Sequence, residues 1–330
     1  MKGHAVVFTD RLKAEYREID IPEPGPDDVV VDVEVSWISN GTESSFFRGE
    51  RIAGDTPYVE GAPWPFPIVA GYQKTGIVSR VGANVRNVQP GDRVFATISR
   101  VEGMFDSFGG HVSPAVTPAD QIWKLPEGLP AADFSGLVLT QVGYNCGMRA
   151  PAGPGDRAVV LGDGLVANWT AQTLLHRGAE VIALGRHDDR LERFPEAVVR
   201  CNTKAADVAS AVRAFAPEGV SIVIDTVGDM DSVMGLLPLM RHDSHIVSAG
   251  FYGSEGFVDV QLLRAKEITL HCPSGWTPER MNETLRGVHE GWLETGRLIT
   301  HRYPVERADE AWKLIADKKQ FCLGIVLDWK

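Results

Sequence analysis

Arg157-Ala-Val-Val-Leu-Gly162-Asp-Gly164-Leu-Val-Ala167 is the stretch from which the fold can be read. A short apolar, partly β-branched run leads into two glycines, and a helix-forming segment follows. Gly162 and Gly164 fill the first two positions of the pattern G-x-G-x-x-G/A, and Ala167 fills the third. The first glycine permits a tight turn, and the second lets the main chain approach a pyrophosphate. The third small residue lets helix and strand pack closely. Main-chain N–H groups at Leu165 and Val166, with the helix dipole behind them, then hold the phosphate charge. The helix has an apolar stripe of its own in Ala167, Ala171, Leu174, Leu175 and Gly178. An empty structural turn is the alternative. A preceding strand, a following helix and a second strand about 20 residues on favour a dinucleotide cradle.

Working outward toward the C-terminus, strand-like runs alternate with helical ones. The strand candidates are Ala158-Val-Val-Leu, Val181-Ile-Ala-Leu, Ile222-Val-Ile-Asp and His245-Ile-Val-Ser-Ala, with helices over 165–177 and 205–216. That alternation predicts βαβ units around a doubly wound parallel sheet, an α/β fold. The end of the second strand should select the cofactor, because an acid there would bond a ribose 2'-hydroxyl. The sequence has Leu184-Gly185-Arg186-His187 instead. Gly185 stands where the acid is missing, Arg186 offers a planar fork to a 2'-phosphate, and Arg190 adds charge one turn on. This reading favours NADP over NAD. In the alternative, Arg186 is a solvated surface arginine and Asp188 or Asp189 supplies the acid.

Toward the N-terminus the style differs. Residues 4–8 and 29–35 read as strands, Pro22-Glu-Pro-Gly-Pro-Asp-Asp as a turn, and Pro90-Gly-Asp-Arg-Val-Phe as a turn entering a strand. Up to about residue 125 the chain is short strands and Gly/Pro turns, which predicts a β-barrel-like domain. Residues 131–149, 278–295 and 307–318 read as helices, and Cys322-Leu-Gly-Ile-Val-Leu-Asp as a closing strand.

The bulk numbers set limits. The 330 residues are 44% hydrophobic and 23% charged, which suits about two folded domains. A net charge of -11 without a Lys/Arg run argues against a nucleic-acid partner. No apolar stretch reaches the roughly 18 residues of a membrane span, and no signal-peptide core is visible, so a cytoplasmic protein is expected. Cys146, Cys201, Cys272 and Cys322 lack knuckle spacing and read as free, mostly buried thiols.

The order of these segments resembles the medium-chain dehydrogenase/reductase superfamily along essentially the whole chain. The resemblance rests on Pro24-Gly-Pro-Asp-Asp-Val-Val-Val, Gly76-Ile-Val with Gly82, Gly91-Asp-Arg-Val, Gly109-Gly-His and Leu125-Pro-Glu-Gly. It implies a GroES-like catalytic domain from residues 1–125 and 272–330, a Rossmann domain from 126–271, and an active site in the cleft. It also implies a homodimer or homotetramer, and a small-molecule substrate. Thr226 and Val227, and Ala249, Gly250 and Phe251, stand where family members back the nicotinamide. Ile38 to Glu43, Leu298-Ile-Thr-His and the final Cys322 to Trp329 are similar to the subgroup named for 3-hydroxyethyl bacteriochlorophyllide a dehydrogenase.

Many family members hold a catalytic zinc, and this sequence departs at each ligand position. Ser39 stands for the cysteine, Tyr72 for the histidine with Gln73 for its neighbouring glutamate, and the third position falls near Val138. Ser, Tyr and Val cannot assemble a thiolate, imidazole or carboxylate site, so no metal is expected. Some hydrogen-bond donor must then stabilise charge on the substrate oxygen. Tyr72 is the first candidate, with nearby Lys74 or the positive nicotinamide expected to lower its pKa; alternatively it fills the vacated zinc space. Ser39, Asn40 and Thr42 are candidate donors. Glu43 is an acid/base or an anchor of the loop, Gln73 a substrate-orienting group, and His111 a surface or packing residue. The implied reaction is hydride transfer between nicotinamide and an alcohol/ketone pair. A quinone or enoyl reductase and a catalytically silent NADPH-binding protein are the other readings.

Overall fold

The computed structural model describes residues 1–53, 56–253 and 256–330. They form two compact units, Met1–Val138 with Thr295–Lys330, and Leu139–Glu294. The first unit is thus drawn from two separate stretches of the chain. Its borders lie later than the 125/126 and 271/272 junctions expected from the change in sequence style. The physical reason is packing. The short helix Ala131–Phe134 and Gly136 still belong to the first unit, where Gly136 lies flat against the buried Trp37 ring. At the other border the helix Pro278–His289 stays with the second unit, and Glu294 N–H donates to Gln172 Oε1 at 2.7 Å.

In the first unit the strands β1 (Asp28–Trp37) and β2 (Lys74–Val81) pair antiparallel. β1 also pairs with Ala115–Pro118 and, at its far end, with the closing strand Gly324–Asp328. These belong, among the described residues, to a nine-stranded sheet, and the N-terminal strands Lys2–Asp10 and Lys13–Asp20 belong to a four-stranded one. β1 sends Val29, Val30, Val31 and Val33 into a core shared with Val78, Val94 and Val116, a register shift between Val30 and Val31 interrupting strict alternation. A second core gathers Phe8, Phe47 and Trp312 beneath the helix α1 (Thr42–Phe47), which follows β1 after four residues. α1 therefore starts at the end of a rigid strand, and it carries Glu43.

The second unit continues with α2 (Leu137–Arg149), whose first two residues belong to the first unit. Then come β3 (Arg157–Leu161), α3 (Leu165–His176), β4 (Glu180–Gly185), β5 (Val199–Asn202), β6 (Val220–Asp225), β7 (Met240–Ser248) and β8 (Thr269–His271). Among the described residues these six strands are all parallel, in the spatial order β5-β4-β3-β6-β7-β8. That is a doubly wound sheet, whose order reverses between β3 and β6. Both faces are covered. Val160, Ala183 and Ile224 point into one apolar cluster, and Val159, Ile182 and Val223 into another. Burial on both faces is why these strands read as continuous apolar runs.

Three elements differ from their sequence readings, the first being the helix expected over 278–295, which ends at His289 before the positive-φ Gly291. The segment 131–149 is two helices, because Ser135 and Gly136 interrupt it. α3 is buried nearly all round, with Asn168, Trp169, Thr170, Gln172 and Thr173 enclosed as well as Ala167, Ala171 and Leu174. Its polar groups are satisfied inside, for example Gln172 Nε2 donating to Asn168 Oδ1 at 2.8 Å. Among the described residues no helix is long and apolar enough to cross a membrane. Cys146, Cys201 and Cys322 are buried thiols, and Cys272 is exposed.

Candidate active site

The glycine turn between β3 and α3 has the geometry that dinucleotide binding needs. Gly162 has φ +121°, and a Cβ there would lie 2.4 Å from Thr226 Oγ1. A side chain at 162 is therefore excluded by strain and by contact. Gly164 differs, since a Cβ there would meet nothing within 4 Å. Its missing side chain leaves room outside the protein, at the head of α3, where Leu165, Val166 and Ala167 have first-turn N–H groups without intrahelical acceptors. The cradle fits a pyrophosphate. The two glycines are separable by experiment. Gly162→Ala should lower stability by about 1–3 kcal/mol, read by chemical denaturation. Gly164→Ala should keep stability and lose dinucleotide affinity. Equal stability of both variants would contradict the geometry.

The ends of β6 and β7 complete this edge. Gly250 packs main chain to main chain on Gly228, where a Cβ would lie 1.9 Å from Gly228 N, and Phe251 lies against the same glycine. Ala249 N–H donates to Asp225 O at 2.9 Å, and Thr226 Oγ1 donates to Leu161 O at 2.8 Å. Val227 is half exposed. The sequence reading missed what fixes these turns. Buried Asp225 accepts from the N–H groups of Val227 (2.8 Å), Gly228 (3.0 Å) and Asp229 (3.2 Å), and from the Tyr252 hydroxyl. Burial and the Asp225 carboxylate hold the Tyr252 phenol well above its ordinary range.

At the end of β4, Gly185 is buried, whereas Arg186 and His187 are exposed and Arg190 is partly so. Asp188 accepts from Asn202 Nδ2 at 2.7 Å. Asp163, between the two glycines, reaches across to this point. Its Oδ2 accepts from Arg186 N (2.8 Å), His187 N (3.0 Å) and His187 Nδ1 (2.8 Å), and Arg190 Nη1 lies 3.5 Å from Oδ1. Burial opposes its charge, but these donors outweigh it and hold the carboxyl below its ordinary pKa. Nothing in the sequence reading singled out Asp163, because its contacts span more than 20 residues.

The first unit holds a cluster of hydroxyls. Tyr72 O–H donates to Ser39 Oγ at 2.7 Å, and Thr42 also bonds the phenol. Ser39 N–H donates to Glu43 Oε1 at 2.7 Å, and Glu43 Oε2 lies 3.0 Å from His111 Nε2. His111 Nδ1 is 2.7 Å from Ser36 Oγ, which also receives the Trp329 indole N–H at 2.9 Å. An indole only donates, so Ser36 has its own proton to give to Nδ1. The arrangement that satisfies every group then points Nε2–H at Glu43. His111 is fully buried and lies beneath Gly71, where a Cβ would come within 2.5 Å of its ring. It is the floor of this loop rather than a surface residue.

Three expectations change here. Lys74 does not act on Tyr72. It is fully buried, and its ammonium donates to Thr97 O. Burial instead pushes the Tyr72 phenol up to about 12, partly offset by the Ser39 bond, raised further by Glu43, and drawn down by Thr42 and Arg51. Gln73 is fully buried, and its amide donates to Trp37 O at 3.3 Å, so it braces β1 and does not face a substrate. Asn40 donates its amide to Leu323 O at 2.6 Å, which ties the loop to the C-terminal segment. Ser39, Tyr72, Thr42 and Glu43 come together as one group, and Asn40 and Gln73 are its supports.

Comparison with known proteins agrees with both halves. The alcohol dehydrogenase GroES-like domain matches residues 25–127, and the zinc-binding dehydrogenase domain matches residues 166–289. The chain belongs to the medium-chain dehydrogenase/reductase superfamily. A 2-desacetyl-2-hydroxyethyl bacteriochlorophyllide A dehydrogenase of Cereibacter sphaeroides is 26% identical, over 100% of this chain and 99% of that protein. The protein of the same name from Rhodobacter capsulatus is 27% identical over 94% and 93%. A zinc-binding dehydrogenase from Sinorhizobium meliloti, solved with NADP, superposes with a TM-score of 0.83 at 22% identity, covering 99% of both chains. An Escherichia coli alcohol dehydrogenase solved with NADH gives 0.84 at 20% identity, again over 99% of both. These structures share the fold. The family architecture therefore supports a nicotinamide-dependent oxidoreductase.

The zinc of many members of this superfamily does not fit these residues. The positions that would hold it present a hydroxyl pair bonded to itself and the apolar, buried Val138. Among the described residues no group of three His, Cys, Asp or Glu side chains could hold a metal ion.

Proposed function

We propose that this chain is an NADPH-linked, zinc-independent reductase of carbonyl compounds, with Tyr72 as the proton donor. The observation that carries the reading is the Tyr72–Ser39 hydroxyl pair in the place of metal ligands. When bound, the nicotinamide supplies the hydride; the chain's own residues handle the proton.

A carbonyl oxygen that gains electrons becomes an alkoxide, a stronger base than phenolate, so proton transfer from Tyr72 is downhill. The phenolate left behind is stabilised by Thr42 and by Ser39, whose hydroxyl can turn to donate. Glu43 holds Ser39 by its main-chain N–H, and His111 holds Glu43, which keeps the pair in register. Because the phenol stays protonated at neutral pH, the site suits reduction better than alcohol oxidation. On the second unit, Arg186 is the group offered to a 2'-phosphate.

The test combines three measurements on the purified protein. NADPH and NADH are titrated by fluorescence, metal content is determined, and turnover is followed on a panel of ketones, aldehydes, quinones and enones. The expected result is tighter binding of NADPH, no stoichiometric zinc, and carbonyl reduction that resists chelators. Stoichiometric zinc would overturn the metal-free chemistry. Turnover of enones alone would move the assignment to double-bond reduction, and binding without turnover would leave a silent NADPH-binding protein.

A further inference from the structure

We propose that Asp163 is the acidic determinant of cofactor choice in this chain, moved from the end of β4 onto the glycine loop. This inference deepens the dinucleotide reading above and rests on it.

Doubly wound folds that select a 2'-hydroxyl place an acid at the end of the second strand. Here that residue is Gly185, and the space above it is already taken. A Cβ on Gly185 would lie 2.7 Å from Asp163 Cβ and 3.0 Å from Asp163 Oδ2. The carboxylate therefore occupies the place a strand-end acid would use, reached from the other side of the turn. Its Oδ2 is saturated by the N–H groups of Arg186 and His187 and by the His187 ring. Its Oδ1 has a single partner among the described residues, Arg190 at 3.5 Å. That oxygen keeps accepting capacity for a ribose hydroxyl.

Two consequences follow from charge. Asp163 draws Arg190 toward itself and away from a phosphate, and its own charge repels a 2'-phosphate. Both effects restrain the preference for NADPH that Arg186 creates. The same carboxylate also fixes the β4 end, because it receives the main-chain N–H groups of both Arg186 and His187. Asp163 thus has a shape role, which an amide can keep, and a charge role, which an amide cannot.

Asp163→Asn retains an oxygen acceptor for the two main-chain N–H groups and removes the charge. The ratio of kcat/KM for NADPH to that for NADH should rise on the order of tenfold. Asp163→Ala loses the latch as well, so KM should rise for both cofactors. In an Arg190→Gln background the gain from Asp163→Asn should shrink, since there is no longer an arginine to release. Thermal melts confirm that each variant is folded. A ratio that stays constant or falls in folded Asp163→Asn overturns this inference alone. If the unaltered protein binds neither dinucleotide, the functional reading fails and carries this inference with it. If Arg186→Gln leaves NADPH binding unchanged, the assignment of Arg186 fails, while the Asp163→Asn ratio still decides the role of Asp163.

Discussion

Replacing Tyr72 with phenylalanine should lower kcat for carbonyl reduction by on the order of 10²-fold or more, with little change in NADPH affinity. The ring would still fill its place, so the loss reports the hydroxyl alone. Ser39 Oγ would lose its 2.7 Å donor at a site where Ser39 is 1% exposed. That should cost about 1 kcal/mol in stability, small enough to leave a folded enzyme for kinetics. Ser39→Ala should do less, roughly tenfold, because it removes support for the phenolate and leaves the donor in place. The pH profile adds a second reading. With the phenol pushed up to about 12, the acid form persists between pH 6 and 9, so reduction should show no loss from Tyr72 in that range. Alcohol oxidation needs the phenolate and should rise with pH throughout it. Unchanged turnover in Tyr72→Phe would remove Tyr72 from the chemistry and leave it as packing in the space a metal would fill.

Local chemistry made some of this legible. The spacing of Gly162, Gly164 and Ala167 has a reason at each position, so the turn, its strand and its helix could be read directly. The parallel sheet followed, because strands buried on both faces lose their alternation and announce themselves as apolar runs. The departures at Ser39, Tyr72 and Val138 were equally readable, since ligand chemistry is a property of residue type. What stayed hidden was long-range. Glu43 and His111 are 68 residues apart, and nothing in either segment specifies the other. Asp163 reads as a filler between glycines until β4 is laid beside it. The stripe on α3 was an incomplete description for a related reason. Its polar residues are buried with their partners, and hydropathy cannot distinguish a satisfied buried polar group from a solvated one. The first border lies at Val138 rather than 125, with Gly136 against Trp37, a contact that composition does not reveal.

Lys74 shows the same limit, because the sequence placed it beside Tyr72 and could not say which way it points. Tyr72 lies in the bend before β2, and Lys74 is the first residue of that strand, so no strand periodicity relates the two side chains. The Lys74 side chain enters the interior of the first unit, fully buried, and burial lowers its pKa from 10.5 to about 7. Among the described residues no carboxylate pairs with it, and a buried unpaired cation is costly. The cost depends on pH with a definite sign. Below pH 7 the folded and unfolded chains both carry the proton, and the whole penalty is present. Between pH 7 and 10.5 the unfolded chain binds more protons than the folded one, so this residue makes stability rise with pH. Above 10.5 neither form is charged, and the penalty is gone. A shift of this size corresponds to on the order of 5 kcal/mol at most. Lys74→Met keeps the length and apolar stem of the side chain and removes the charge. It also removes the donor to Thr97 O, which costs about 1–3 kcal/mol. The variant should therefore be the more stable protein near pH 7, by a few kcal/mol in urea denaturation. Its advantage should shrink steadily as pH rises to 10. Since Tyr72 owes none of its shift to Lys74, the pH profile of carbonyl reduction should be the same in both proteins. A stability difference that is constant from pH 7 to 10 would mean that Lys74 does not titrate there, and that its ammonium has found solvation the buried position denies it.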